Sequence, residues 1–186
     1  MPAARSLLFS PEALDAAIED LAARMLARPP RCGGEAHALV GIHRRGVPLA
    51  RRIATAMERL SGNPVPVGTL DITQHRDDLG TLEHLPPLLG SEIPFDIDGA
   101  CVTLCDEVIF TGRSIRAALT ELLDFGRPSQ VRLAVLVDRE GREFPVQPDF
   151  SAHRIEISPH QRVSVHFTET DGEDAVYVDT PPPAAP

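Results

Sequence analysis

Val102-Thr103-Leu104-Cys105-Asp106-Glu107-Val108-Ile109-Phe110-Thr111-Gly112-Arg113-Ser114 is the stretch on which the reading of this sequence turns. The apolar run from Ala100 to Cys105 reads as a buried strand, and it ends in two adjacent acids. Residues 111–125 read as a helix, closed by Gly126 and Pro128. Two hydroxyls and a glycine at a helix N-terminus make a cradle for a monophosphate, because the unpaired amides there point outward. The acid pair would repel a bare anion, so it needs another task. Hydrogen bonds to vicinal sugar hydroxyls, and a Mg²⁺ held partly through water, supply one. A phosphorylated ribose satisfies both halves. Without a ligand, the same residues read as an acidic strand end and a Thr111 N-cap.

Working outward, strands alternate with helices. Ser10-Pro11 opens a first helix that the spacing of Leu14, Ile18, Leu21 and Met25 carries to Ala27. Ala36–Ile42 reads as a buried strand, followed by His43-Arg44-Arg45-Gly46 and a helix opening at Pro48. Val65–Thr73 reads as the next strand, and Val131–Val137 as a central one, apolar apart from Arg132. Shorter strands are expected around Arg154–Ile157 and Val163–Thr168. Residues 74–94 are polar and rich in proline, which suits a functional lid or a disordered loop. One domain over residues 1–176 is expected, with a small hood at about 142–170 and a disordered tail at 177–186. The alternation predicts an α/β fold with a mostly parallel sheet and helices on both faces. Ligands then bind beyond the carboxyl ends of the strands.

Composition narrows the function classes. The net charge of −9 argues against a general basic surface for nucleic acid, so phosphate must be held by local devices. Cys101 and Cys105 lie four apart on one strand, roughly 13 Å, too far to bridge each other. With Cys32 in a Gly-rich loop, a reduced cytoplasmic protein is expected. No Cys/His spacing resembles a zinc site. Leu7-Leu8-Phe9 is too short for a signal peptide, and no window is long enough to span a membrane. His43 and His75 receive no role.

The segment Thr103–Ser114 resembles the phosphoribosyl-pyrophosphate motif of type I phosphoribosyltransferases. Within them it is most similar to the PyrR family, pyrimidine-operon attenuation regulators with uracil phosphoribosyltransferase activity. Leu39–Ala50 resembles that family's early strand and pyrophosphate loop, and Gly68–Leu79 its lid segment. Ile93–Gly99, Gly126–Pro128 and Leu133–Arg139 also match, so the likeness covers Leu8 to about Val176.

The resemblance implies a type I phosphoribosyltransferase fold and conversion of uracil and phosphoribosyl pyrophosphate to UMP and pyrophosphate. It implies Asp106 and Glu107 on the ribose hydroxyls and on Mg²⁺, with Arg45 as a third catalytic group. The substrate-binding run would continue through Val108, Ile109 and Phe110 to a 5-phosphate cradle of Thr111, Gly112, Arg113 and Ser114. Arg44, Arg45 and Gly46 would hold pyrophosphate, and Asp138 and Arg139 would sit near the base. A homodimer or higher homo-oligomer and a pyr mRNA leader are the implied partners.

Several positions depart from the family pattern. Glu107 stands where aspartate is usual, Arg44 where threonine is usual, and Cys105 where an aliphatic residue is usual. Ile155-Glu156-Ile157-Ser158 replaces Ile-Pro-Thr-Ser near the base. Glu19, Asp20, Ala23 and Gln147 reduce the positive charge expected on the RNA face, leaving Arg24, Arg28, Arg142, Arg154 and Arg162. Two other readings stay open: a nucleotide-sensing RNA regulator with little turnover, and a phosphoribosyltransferase for another base.

Overall fold

The structure is a computed structural model, and it describes residues 4–31, 37–78 and 87–181. Its centre is a five-stranded parallel sheet in the order β3-β2-β4-β5-β6. The strands are β2 (His37–Ile42), β3 (Val67–Leu70), β4 (Cys101–Ile109), β5 (Gln130–Arg139) and β6 (Phe150–Ile155). Strand β4 is flanked by β2 and β5 over most of its length, which brings the ends of all three to one edge. A second, antiparallel sheet joins β1 (Ala4–Phe9), β8 (Ala175–Thr180) and β7 (Arg162–His166) in that order.

Helices cover both faces, because each carries one apolar stripe. In α1 (Pro11–Ala27) the Ser10 hydroxyl accepts the Ala13 amide at 3.3 Å, and Leu14, Ile18, Leu21 and Met25 are buried. Helix α2 (Gly46–Ser61) buries Leu49, Ile53 and Met57 in the same core, together with Phe167 and Val176. Helix α3 (Arg113–Asp124) buries Ile115, Ala118 and Leu122 against Val40, Leu104 and Val135 on the opposite face. Each fully buried Leu or Ile is worth about 1.5–3 kcal/mol. These two cores hold the strand ends rigid.

Several boundaries differ from the sequence reading for local reasons. Helix α2 starts at Gly46 rather than Pro48, since a glycine is needed there: an added Cβ would lie 2.3 Å from the Cys105 carbonyl oxygen. Strand β3 stops at Leu70 because the Asp71 carboxylate accepts the Thr73 amide at 2.9 Å and turns the chain into a 3-10 turn at Thr73–His75. Strands β4 and β5 run on through Ile109 and Arg139, so both acids lie within β4.

The hood expected at 142–170 is not one contiguous segment. Strand β6 joins the main sheet, while the second sheet draws β1 and β8 from the two ends of the described chain. The tail expected from residue 177 is strand through Thr180, with Val178 buried; residues 182–186 lie outside the described residues, as does 79–86 of the expected lid. Cys105 is a free, buried thiol, but Cys101 is disulfide-bonded, against the expectation of reduced thiols. Strand spacing keeps Cys101 from bridging Cys105 and leaves a bridge from Cys101 to another element open.

Candidate active site

The site forms where β2, β4 and β5 end. Two close approaches build it. Gly41 of β2 lets the start of α2 pack onto the strand, for a Cβ there would meet the Gly46 carbonyl oxygen at 2.5 Å. Gly46 in turn lies against Cys105 and Asp106 of β4. The His43-Arg44-Arg45 loop is thereby pressed beside the acid pair.

Neighbouring residues of a strand face opposite sides, and the acid pair divides accordingly. Glu107 is half-buried and lines a pocket of about 270 Å³ with His43, Arg44, Arg45, Thr73 and Arg76. Asp106 is only 7% exposed, and its Oδ1 accepts the Glu107 amide at 3.0 Å. Burial, reinforced by the neighbouring Glu107 carboxylate, pushes the Asp106 carboxyl well above the usual range. Ile109 is buried in one core, and Val108, partly buried, packs against the other.

The next turn makes the second pocket. Gly112 takes a φ of 90°, a left-handed conformation that side chains avoid, and swings the chain from β4 into α3. Thr111, Arg113 and Ser114 line a pocket of about 420 Å³ with Arg76, Asp77 and Asp78. The Arg113 guanidinium is engaged by Asp77 and by Glu143, which leaves amides and hydroxyls to face a phosphate.

The Phosphoribosyl transferase domain family matches residues 8–168 of this chain. Bifunctional protein PyrR from Pelotomaculum thermopropionicum is 49% identical over 140 residues, which is 75% of this chain and 77% of that one. The chain belongs to the PyrR family. Bifunctional protein PyrR from Deinococcus radiodurans is 40% identical over 176 residues, covering 95% of both chains. Among solved structures, a mutant hypoxanthine phosphoribosyltransferase from Trypanosoma cruzi, complexed with the product IMP, superimposes with a TM-score of 0.70 at 19% identity. That match covers 97% of this chain and 91% of the other. A hypoxanthine phosphoribosyltransferase from Staphylococcus aureus gives 0.67 at 15% identity, over 96% of this chain and 93% of that one. At such identities the likeness speaks for the fold, which is that of the type I phosphoribosyltransferases.

In this PyrR-family chain the rest of the candidate site lies on and after β5. Arg139 does not pair with Asp138. Its guanidinium stacks 3.8 Å from the Phe110 ring centroid and donates to the Ser158 and Pro159 carbonyls at 3.3 and 3.2 Å. Asp138 pairs instead with Arg142, which also donates to the carbonyls of Phe110 and Arg139, each at 2.7 Å. Asp138 and Arg139 thus take different partners, and both are buried.

Two residues escaped the sequence reading. Asp171, in the single-turn helix α4 (Thr168–Asp171), takes the Arg45 guanidinium in a bidentate grip at 2.6 and 3.0 Å. Hydrogen bonding from Arg45, against a smaller cost of burial, holds the Asp171 carboxyl well below its usual range. Arg76 lines both pockets. Nothing local in the sequence marks Asp171, which lies 126 residues from Arg45. Arg76 could have been found as the one arginine in the lid segment.

Proposed function

We propose that this chain is a uracil phosphoribosyltransferase that joins a ring nitrogen of uracil to C1 of phosphoribosyl pyrophosphate. The C1–O bond to pyrophosphate breaks, the nitrogen loses its proton, and UMP leaves. The observation that carries the reading is the adjacency of the two pockets, one walled by Glu107 with Arg44 and Arg45, the other by Thr111 and Ser114, with Arg76 common to both. The first suits a pyrophosphate next to ribose hydroxyls, the second a 5-phosphate.

The donor set fits Mg²⁺. Glu107 offers hard oxygens to the pocket with the buried Asp106 carboxyl next to it in the strand, and a dication there would offset the Glu107 charge that, after burial, raises Asp106. Bound there with phosphoribosyl pyrophosphate, Mg²⁺ would supply charge stabilisation for the leaving group. The chain's own part is to position. Asp171 orients Arg45, Gly46 lets the arginine loop pack against Cys105 and Asp106 beside the acid pair, and the Gly112 turn presents amides to the phosphate. A reaction whose transition state has oxocarbenium character needs this positioning and charge stabilisation rather than a nucleophile. Arg139 braces the 158–159 turn beside Phe110, where the base would lie.

Regulation of pyrimidine genes through RNA is the second half of the proposal, in a reduced form. Of the arginines left on the RNA face, Arg24 is tied to Asp20 and to the Ser151 carbonyl, Arg154 to Glu140, and Arg142 to Asp138. Each must give up a partner to meet a phosphate, which lowers affinity and its salt dependence. A cytoplasmic homo-oligomer completes the reading, and no helix among the described residues is long and apolar enough to cross a membrane.

The test is incubation with phosphoribosyl pyrophosphate, Mg²⁺ and a panel of bases, scoring nucleotide products. UMP is the expected product. Another nucleotide would transfer the reading to another base, and binding of phosphoribosyl pyrophosphate without product would favour the sensor. Calorimetry on Asp106→Asn with Glu107→Gln should show phosphoribosyl-pyrophosphate binding abolished; unchanged affinity refutes the site.

A further inference from the structure

Outside both pockets, three chemically active side chains converge that the activity does not use. His75 closes the 3-10 turn after Asp71, while Glu121 and Asp124 stand three apart on α3 and so share one face. His75 Nε2 lies 3.0 Å from Glu121 Oε2 and 3.7 Å from Asp124 Oδ2, and one donor atom from each residue lies within 4.8 Å of the others. We propose that His75, Glu121 and Asp124 form a three-ligand site for a zinc-class divalent cation, one that accepts imidazole.

The spacing fits. A tetrahedral ion with ligand bonds near 2.05 Å sets its donors about 3.4 Å apart, and the two measured separations bracket that value. The charge fits too: one imidazole brings at most a single positive charge against two carboxylates, and a dication makes up the difference. The ligands are also held from behind. The Ser91 hydroxyl donates to Glu121 Oε1 at 2.7 Å, leaving Oε2 turned to His75, and Arg116 Nη2 donates to the His75 carbonyl at 2.6 Å. Such outer hydrogen bonds orient ligands in metal sites. One nitrogen and two carboxylates favour Zn²⁺ or Co²⁺ over Mg²⁺, which prefers oxygen and retains its water. A bound ion would pin the turn before Arg76 to α3, steadying the one cation shared by both pockets.

Cobalt(II) alone is the probe, titrated into the metal-free full chain without phosphoribosyl pyrophosphate and followed by visible d–d absorption. One equivalent should bind with an intensified spectrum of low coordination number. His75→Gln should weaken binding at least about tenfold, Asp124→Asn should weaken it likewise, and Glu107→Gln should bind as the parent does. Asp124 is largely exposed, so its variant keeps the fold and decides the matter if His75→Gln does not. No spectral change, binding by the His75 and Asp124 variants as tight as the parent's, or loss of the signal in Glu107→Gln would each overturn the site. None of these readouts depends on the transferase activity.

Discussion

Replacing Asp71 with asparagine tests the clamp at the base of the segment between the two pockets. Asp71 is 7% exposed and accepts three backbone amides: Thr73 at 2.9 Å on one oxygen, Leu89 at 2.5 Å and Gly90 at 3.0 Å on the other. Burial alone would raise its carboxyl, but the hydrogen bonds from Thr73, Leu89 and Gly90 outweigh it, holding the value at about 2 against an ordinary 3.8. At about 1.4 kcal/mol for each tenfold change in proton affinity, that difference is worth about 2 kcal/mol. The sign follows from the depressed value. The stabilisation is complete above pH 4 and is lost as pH falls towards 2, where the folded carboxyl also takes a proton. The asparagine side chain keeps the shape without the charge. Urea unfolding should therefore show the Asp71→Asn variant about 2 kcal/mol less stable at pH 7, with the gap closing to less than half by pH 2.5. A gap that is absent at pH 7, or that does not narrow with acid, would show that the charge on Asp71 does not hold the clamp.

Other expectations follow from single contacts. Gly46→Ala places a Cβ 2.3 Å from the Cys105 carbonyl oxygen, which backbone alone must relieve; a stability loss of about 1–3 kcal/mol in thermal unfolding and weaker phosphoribosyl-pyrophosphate binding are expected. Asp171→Asn releases the Arg45 guanidinium from its bidentate partner; the KM for phosphoribosyl pyrophosphate should rise about fivefold, worth about 1 kcal/mol, and an unchanged KM would remove Asp171 from the site. Glu156 and Ile157 lead into the turn that Arg139 braces, where the proposed function puts the base, so uracil turnover should be modest, and rates typical of the family would show the two substitutions to be harmless. With Arg24, Arg142 and Arg154 of its RNA-face arginines already paired, the chain should bind RNA weakly at physiological salt, and a nanomolar, sequence-specific gel shift would refute that.

The acid pair, the Thr-Gly-Arg-Ser turn and the double arginine were legible because each sits within a few residues of one strand end, where local pattern and position coincide. Arg45 was readable on those grounds. Its partner Asp171 was not, since only the packing of α4 against the start of α2 brings them together. The same holds for His75, which has no metal-like spacing in the chain and meets Glu121 and Asp124 only across α3. The antiparallel sheet was missed at both ends for a related reason: Ala4–Phe9 and Ala175–Thr180 are short, β1 is strand through its pairing with β8, and β8 through its place between β1 and β7.

By itself, then, the sequence determined the alternation of strands and helices, the family, and the chemistry of the strand ends, all of which rest on interactions between near neighbours. The tertiary structure alone decided that Asp106 is buried while Glu107 faces the pocket, that Arg139 braces a turn rather than pairing with Asp138, and that Asp171 orients Arg45. Those outcomes depend on which side of a strand is covered and on contacts between residues far apart in the chain, and no local pattern encodes either.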